Sequence, residues 1–131
     1  MRLLVIEDNR QLVANLFDYF ESRGHVLDVA PDGITGLHLA GSHPYDAVIL
    51  DWMLPRMDGL EVLRQLRDDE QLKRIPVVVL TSSREESDLA RSWDLGVNAY
   101  VVKPVDSEQF FTAVKTLGRF WAVLNETPTT L

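Results

Sequence analysis

Residues 47–51 read Ala-Val-Ile-Leu-Asp, an uninterrupted apolar run that ends on a carboxylate. Apolar runs of this length are typical of parallel strands that are covered on both faces of a sheet. Three more apolar runs are followed by polar side chains, at Glu7-Asp8, at Thr81 and at Lys103. Because ligands bind an open parallel sheet at the carboxyl ends of its strands, we predict that these polar side chains form one site.

Strand and helix patterns alternate along the chain. The strands are predicted at residues 2–6, 25–29, 46–50, 76–80 and 99–102. Gly24 and Gly96 are expected to stop two of the helices, Asp58 to cap another, and Ser83 with Glu86 to form a capping box. The apolar positions behind that box are Leu89, Ala90 and Trp93. This alternation predicts an α/β fold, with a doubly wound parallel sheet and right-handed crossovers.

The composition bounds the class of protein. With 131 residues, of which 46% are hydrophobic, the chain is predicted to form one globular domain over residues 1–125 and a flexible tail at 126–131. The absence of cysteine excludes disulfides and thiolate chemistry, and a net charge of −7 argues against nucleic-acid binding by this chain alone. No apolar run approaches the ~20 residues of a membrane span and no signal-peptide pattern is present, so we expect a cytoplasmic protein without membrane contact.

The last predicted helix, from Asp106 to about Leu124, is longer than the sheet needs. It would measure ~28 Å at about 1.5 Å per residue, whereas a five-residue strand measures only ~16 Å. The apolar residues near its end, Phe120, Trp121 and Leu124, would therefore reach beyond the domain's own core. Such an exposed apolar end indicates an association surface, and packing under the tail is the alternative.

The carboxylates of Glu7, Asp8 and Asp51 are predicted to lie within a few ångströms of one another. Like charges so close repel by several kcal/mol even at an effective dielectric constant of ~20, so either one carboxylate keeps its proton or a divalent cation lies among them. Oxygen ligands with room for water suit Mg²⁺. A carboxylate can also attack phosphorus, and Lys103 and Thr81 could bind the oxygens of the transferred group. The set is therefore complete for phosphoryl transfer onto Asp51.

Four short motifs occur in an order and spacing that are specific when taken together. They are Glu7-Asp8-Asn9, Asp51 followed by Leu-Pro-Arg-Met-Asp-Gly at 54–59, Thr81-Ser82 and Lys103-Pro104. Over roughly residues 1–120 the chain resembles the receiver domain of two-component response regulators, with a CheY-like fold. The resemblance implies a flavodoxin-like (βα)5 sheet with strand order 2-1-3-4-5. It also implies a phosphoacceptor signalling protein, which catalyses its own phosphoryl transfer and dephosphorylation, rather than a metabolic enzyme.

The resemblance implies a role for each matching position of the acidic site. Asp51 corresponds to the phosphoacceptor, and Lys103 corresponds to the family's active-site lysine. Asp8 corresponds to a direct ligand of Mg²⁺ (or Mn²⁺), and Glu7 to a residue that acts through water. The backbone carbonyl of Met53 corresponds to a further protein ligand, and Asp51 belongs to the same ligand set.

Further positions correspond to the family's switch. Thr81 matches the hydroxyl that moves to the new phosphoryl group, and Tyr100 matches the aromatic ring that turns inward behind it. Pro104 matches a residue that usually follows a cis peptide bond. A histidine kinase would donate the phosphoryl group, and the switch would bias the face formed by the fourth helix, the last strand and the last helix.

The two halves of the chain resemble different branches of the family. Residues 1–66 look like receivers of winged-helix transcription factors, and residues 75–128 look like single-domain regulators that partner phytochrome-type kinases. In the second group the extended last helix helps to form a dimer. We therefore expect a homodimer through the face just described, and a sensor histidine kinase, with the phytochrome type among the candidates. A stand-alone regulator is favoured; an isolated receiver of a DNA-binding regulator and an engineered splice are the alternatives.

Two functions of other classes share parts of this pattern. A flavodoxin-like cofactor-binding module would need a Ser/Thr/Gly loop after the first strand to hold phosphate, and Glu7-Asp8 would repel it. A phosphatase with an aspartyl nucleophile would usually carry a second acid two positions after Asp51, where this chain has Met53. The receiver interpretation is therefore preferred to both.

Overall fold

Strands and helices alternate through residues 1–104, which with Thr112 are the residues that this computed structural model describes. The strands are β1 (Arg2–Ile6), β2 (Val26–Ala30), β3 (Ala47–Asp51), β4 (Val77–Thr81) and β5 (Ala99–Val102). The helices are α1 (Arg10–Glu21), α2 (Gly33–Ser42), α3 (Gly59–Asp68) and α4 (Arg84–Ser92). All neighbouring strands are parallel and the sheet order is β2-β1-β3-β4-β5, which confirms the predicted doubly wound α/β fold.

Some predictions concern residues beyond this range. The predicted last helix (apart from Thr112), the tail at 126–131 and the domain boundary at residue 125 lie outside the described residues. The predicted interface residues Phe120, Trp121 and Leu124 lie outside them as well. These assignments therefore stay predictions.

Backbone hydrogen bonds carry β3 and β4 one residue past their apolar runs. Asp51 pairs with Leu80 in the sheet register, and Thr81 pairs with a residue of β5. The amides of Trp52 and Lys103 then donate to the carbonyl oxygens of Leu80 and Thr81, at 2.9 and 2.8 Å. Asp51 and Thr81 therefore belong to the sheet itself, whereas the sequence predicted strands that stop just before them.

The turn from α1 into β2 shifts that strand by one residue as well. Gly24 has a φ of 82°, a left-handed conformation that suits glycine, and it follows the end of α1 as predicted. The amide of His25 donates to the carbonyl oxygen of Phe20 at 3.0 Å, so His25 is bonded to the end of the helix. The strand consequently begins at Val26 rather than at the predicted residue 25.

Each helix in the described range begins at a side-chain cap. The capping oxygen accepts a hydrogen bond from the amide three residues later in every case, at Asn9, Asp32, Asp58 and Ser83. The predicted caps at Asp58 and Ser83 are therefore confirmed. The Glu86 carboxylate, however, accepts from the amide of Ser82 at 3.1 Å, one residue farther back than a capping box requires.

The core lies in two layers, one on each face of the sheet. Alternate residues of β1 face opposite layers, with Leu3 and Val5 on one face and Leu4 and Ile6 on the other. The first layer packs against α1, and the second packs against α2, α3 and α4. Because both faces are covered, the three central strands β1, β3 and β4 have no polar side, which explains their apolar sequence.

Helix α4 packs on the sheet through small side chains. Its buried residues are Ser87 and Ala90, while Leu89 is 61% exposed and Trp93 is 46% exposed. Of the three apolar residues that follow the cap, only Ala90 therefore contributes to the core. The guanidinium of Arg64 on α3 stacks over the Trp93 ring at 4.8 Å, so this ring lies on the surface between two helices.

Candidate functional site

The sheet brings the predicted polar residues together at the carboxyl ends of β1, β3 and β5. One carboxylate oxygen from each of Glu7, Asp8 and Asp51 lies within 4.8 Å of the others. The ammonium of Lys103 lies 2.8 Å from Glu7 Oε1 and 3.2 Å from Asp51 Oδ1. The ammonium of Lys103 therefore contacts two of the three carboxylates, and the third, Asp8, lies close to both of these acids.

Glu7 is the innermost acid and is held firmly. Its side chain is buried, and its Oε2 accepts hydrogen bonds from the amides of Asp8 and Asn9 at 3.0 and 3.1 Å. Burial alone would raise the pKa of Glu7, but the bonds from Lys103 and from the Asn9 amide hold it below its ordinary value. Glu7 is therefore ionised, and its salt bridge holds the ammonium of Lys103 in place.

Asp51 has the opposite electrostatic environment. It is only 2% exposed, and its Oδ1 accepts a hydrogen bond from the Met53 amide at 3.3 Å. Burial, followed by the negative charge of Glu7, raises the pKa of Asp51 to about 7, although Lys103 opposes this shift. The ionised form of Asp51 is therefore poorly stabilised by the protein, and a bound cation or a covalent modification of the carboxylate would lower its free energy.

Asp8 differs from its neighbour because it is exposed at the mouth of the cluster. The next residue, Asn9, lines a cavity of about 440 Å³ together with residues of α1 and with Ser82, Lys103 and Pro104. The peptide bond between Lys103 and Pro104 is cis, as the resemblance implies. A solvent-borne group can therefore approach the ammonium of Lys103 from the α1 side.

The donor set fits a hard divalent cation. Its oxygen atoms come from one exposed and two buried carboxylates, close enough to share an ion. Three acids beside one lysine leave a surplus of negative charge, and carboxylate oxygens with access to water are the ligands that Mg²⁺ prefers. Both alternatives posed by the sequence therefore apply to Asp51: without a cation it keeps its proton at a pH below about 7, and a bound cation would favour its ionised form.

The two predicted switch residues lie on the neighbouring strands β4 and β5. Thr81 is fully buried, donates from Oγ1 to the carbonyl oxygen of Ser83 at 3.2 Å, and shares a hydrogen bond with the hydroxyl of Ser87. Tyr100 is half-buried on β5, and the guanidinium of Arg91 stacks over its ring at 4.3 Å. Both side chains therefore contact α4, the helix next to them.

The contact with Ser87 is a feature that sequence reasoning missed. Ser87 lies four residues after the cap Ser83 and three before Ala90, a spacing that puts it on the sheet-facing side of α4. That spacing was the available signal. Ser87 lies between Glu86 and Asp88, and a serine between two charged residues is ordinarily expected to be exposed.

Comparison with known proteins identifies the family. Residues 3–115 match the family described as "Response regulator receiver domain". The chain belongs to this family. Transcriptional regulatory protein HprR of Escherichia coli (strain K12) is 37% identical over 127 residues, which are 97% of this chain and 56% of HprR. The receiver domain thus spans about half the length of the curated relatives it matches.

Solved structures of receiver domains are similar over most of the chain. The bacteriophytochrome response regulator AtBRR has a TM-score of 0.76 and 43% identity, over 89% of this chain and 91% of AtBRR. The receiver domain of sensor histidine kinase PA1611 from Pseudomonas aeruginosa PAO1, described with a magnesium ion coordinated in the active site cleft, has a TM-score of 0.79 and 27% identity, over 92% of this chain and 97% of that one.

Membership of this family makes the chain a signalling domain of two-component systems rather than a metabolic enzyme. Its acidic cluster is consistent with phosphorylation and with Mg²⁺. Within residues 1–104, no helix is long and apolar enough to cross a membrane.

Proposed function

We propose that this receiver domain accepts a phosphoryl group on Asp51 from a phosphohistidine of a sensor histidine kinase. The observation that carries the proposal is the buried Asp51 carboxylate, whose pKa is raised to about 7 beside Glu7 while Lys103 Nζ lies 3.2 Å from its Oδ1. A carboxylate that is poorly stabilised as an anion, next to a fixed cationic group, is suited to act as a nucleophile toward phosphorus.

The residues divide the work of the transfer. An oxygen of Asp51 attacks phosphorus while the bond from phosphorus to the donor nitrogen breaks. Lys103, held by Glu7, stabilises charge on one phosphoryl oxygen, and the Thr81 hydroxyl donates a hydrogen bond to another. Asp8, Asp51 and the backbone carbonyl of Met53 would hold Mg²⁺ (or Mn²⁺), with Glu7 acting through water. When bound, this ion would neutralise charge on the reacting oxygens and orient them.

The output follows from the contacts of the switch residues with α4. Thr81 bonds Ser87 of α4, and Tyr100 lies under Arg91 of the same helix. When Thr81 turns toward a phosphoryl oxygen on Asp51, Tyr100 turns inward and the face of α4, β5 and the predicted last helix changes its preferred arrangement. This is a two-state population shift, biased by one local bond.

That face is also the proposed homodimer surface. In the described part of the face, Leu89, Trp93 and Val102 are exposed apolar residues. The predicted interface residues Phe120, Trp121 and Leu124 would extend this patch along the last helix. Sedimentation of the wild type should show a dimer, and Leu89→Glu should weaken it. A wild type that sediments as a monomer with and without phosphorylation would contradict this part of the proposal.

We favour a stand-alone regulator of a phytochrome-type kinase. The support is AtBRR, a bacteriophytochrome response regulator of which this chain covers 91%. The second candidate is a receiver of a DNA-binding regulator, which HprR supports because the chain matches only 56% of that transcriptional regulator. Because histidine kinases use ATP, the proposal also places the reaction in the cytoplasm. Faster transfer from a purified phytochrome-type kinase than from an unrelated sensor kinase would favour the first candidate.

The phosphoacceptor role is tested by intact-mass spectrometry. The purified chain is incubated with Mg²⁺ and acetyl phosphate, alongside the Asp51→Asn variant and a sample with excess chelator. We expect one phosphoryl adduct in the wild type, and none in the variant or in the chelated sample. An adduct of equal yield in Asp51→Asn would show that another residue is the acceptor.

A further inference from the structure

The hydroxyl of Thr81 forms one hydrogen bond with a side chain of α4 and another with a backbone carbonyl at the start of that helix. Its Oγ1 shares a buried hydrogen bond with the hydroxyl of Ser87, and it donates to the carbonyl oxygen of Ser83 at 3.2 Å. Ser87 is buried and lies on the sheet-facing side of α4 with Ala90. The end of β4 and the first half of α4 are therefore joined through one pair of hydroxyl groups.

These bonds compete with the bond that phosphorylation requires. A threonine hydroxyl has a single proton, and a phosphoryl oxygen can only accept. While that proton is donated to the carbonyl oxygen of Ser83, Ser87 must be the donor in the bond that the two hydroxyls share. To bond a phosphoryl group on Asp51, Thr81 must therefore withdraw its proton from Ser83 and turn its Oγ1 away from Ser87. The unphosphorylated arrangement keeps that proton on the α4 side.

We propose that Ser87 is a positioning residue, which holds Thr81 against α4 and opposes its transfer to the phosphoryl group on Asp51. The inference rests on the proposed function. When Thr81 leaves, the hydroxyl of Ser87 stays buried without its partner, and an unpaired buried hydroxyl destabilises the original position of α4. Ser87 thereby converts a rotation of one side chain into a change in the preferred position of a helix.

The packing of α4 makes this single bond important. Of its described residues only Ser87 and Ala90 are buried, and its larger apolar residue Leu89 is exposed. A helix that buries so little apolar surface is attached weakly, and a few polar contacts then decide its position. Ser87→Ala would place a side chain of similar size at this position. Alanine is also a better helix former, and it has no polar group that needs a hydrogen-bond partner.

The test compares affinities for a phosphoryl mimic. Beryllofluoride with Mg²⁺ is titrated into the folded chain, and its binding is followed by ¹⁹F NMR. We expect Ser87→Ala to bind beryllofluoride about fivefold more tightly than the wild type, the ratio that corresponds to about 1 kcal/mol for one neutral hydrogen bond. In a Thr81→Ala background, Ser87→Ala should change the affinity by less than about twofold.

Two further variants serve as controls. Ser92→Ala removes a hydroxyl from the same helix that bonds only a carbonyl oxygen of that helix in the described contacts, at Leu89, and should bind like the wild type. Ser87→Cys keeps the volume but hydrogen-bonds weakly, so it should also bind more tightly, and it decides the question if Ser87→Ala does not fold.

The outcomes separate the two proposals. Unchanged or weaker binding by a folded Ser87→Ala or Ser87→Cys, while the wild type binds normally, would overturn the role of Ser87 and leave the phosphoacceptor role standing. An equal gain in the Thr81→Ala background would also overturn it, because the effect would not pass through Thr81. If the wild type itself does not bind beryllofluoride, the phosphoacceptor role of Asp51 is overturned, and the role of Ser87, which rests on it, is overturned as well.

Discussion

Two groups of charged side chains lie near opposite ends of the sheet, and they are balanced in different ways. In the first, here called the Arg2 cluster, Asp28 Oδ2 accepts from the Arg2 guanidinium at 3.0 Å and from the Tyr45 hydroxyl at 2.7 Å. In the second, the Asp51 cluster, Glu7 and Asp51 contact Lys103, and Asp8 lies within 4.8 Å of these two acids. The charges of Arg2 and Asp28 match, and both side chains are partly exposed. In the Asp51 cluster two of the three acids are buried, and one lysine does not balance their charge.

The difference in charge balance indicates that the Arg2 cluster stabilises the fold and that the Asp51 cluster is suited to binding a ligand. A matched, partly exposed pair contributes modestly to stability and needs nothing more. A buried group with surplus like charge lowers the stability of the fold unless something binds it. The unbalanced cluster is therefore where a cation and a phosphoryl group gain binding energy, which the balanced cluster could not offer them.

The largest expected effect concerns the tight packing next to the Asp51 cluster. A Cβ on Gly33, at the start of α2, would lie 2.4 Å from the Met57 carbonyl oxygen and 2.7 Å from Val62 Cγ2. Because Met57 lies in the loop after Asp51, Gly33→Ala should push that loop and lower the free energy of unfolding by about 3 kcal/mol. Urea denaturation would measure this difference.

The matched control lies at the other end of the same helix. Gly41 has no atom within 4 Å of an added Cβ, so Gly41→Ala should raise the free energy of unfolding by about 0.5 kcal/mol. Equal losses from the two substitutions would show that the loop beside Asp51 is not tightly packed.

The second prediction removes the ammonium from the Asp51 cluster. Lys103→Met leaves Glu7 and Asp51 without their cation, and should lower the free energy of unfolding at pH 8 without metal by about 2 kcal/mol, a value discounted because the side chain is 25% exposed. Lys73→Met, which breaks the exposed pair with Glu70, should cost about 0.5 kcal/mol or less. Denaturation curves for the two variants side by side check the prediction, and similar losses would contradict the distinction between buried and exposed pairs.

The third and smallest prediction concerns the Arg2 cluster. The hydrogen bond from Tyr45, followed in size by the bond from Arg2, holds the pKa of Asp28 below its ordinary value. A carboxylate with a lowered pKa stabilises the fold above its unfolded-state pKa, and this stability is lost as the pH falls through the folded-state pKa. Tyr45→Phe should therefore lower the free energy of unfolding by about 1 kcal/mol at pH 7, and by less near pH 3.

Thermal unfolding at both pH values would measure the Tyr45 effect. In an Asp28→Asn background the same substitution should have a smaller effect, because the charged acceptor is gone. A loss that is the same at pH 3 and at pH 7 would mean that Tyr45 acts through packing alone.

The sequence was sufficient to locate the Asp51 cluster. Asp51, Thr81 and Lys103 each follow an apolar run, and in a parallel sheet the ends of such runs meet at one edge. The change from apolar to polar is abrupt at each of these positions, so an error of one residue in the strand ends did not move the site. Site positions are predictable here because they depend on topology rather than on the details of packing.

The sequence was not sufficient to separate neighbours of the same type. Glu7 is buried and paired with Lys103, while Asp8 is exposed, although both are acids after the same strand. On α4 the larger Leu89 is exposed and Ser87 is buried. In both places the outcome depends on how the following turn or helix is oriented against the sheet, and this is fixed by contacts between residues that are distant in the chain.

The most direct test of the surplus charge is the stability of the wild type and of Asp51→Asn at pH 8, each with chelator and with saturating Mg²⁺. Because the pKa of Asp51 is raised to about 7, its ionised form lowers stability at pH 8, and this loss shrinks as the pH falls toward 5. With chelator, Asp51→Asn should therefore be more stable than the wild type by about 1 to 2 kcal/mol. Mg²⁺ at about 100 times its Kd should then stabilise the wild type by about 2.7 kcal/mol, and the variant by much less. A variant that is less stable than the wild type with chelator, or that gains as much from Mg²⁺, would contradict the account.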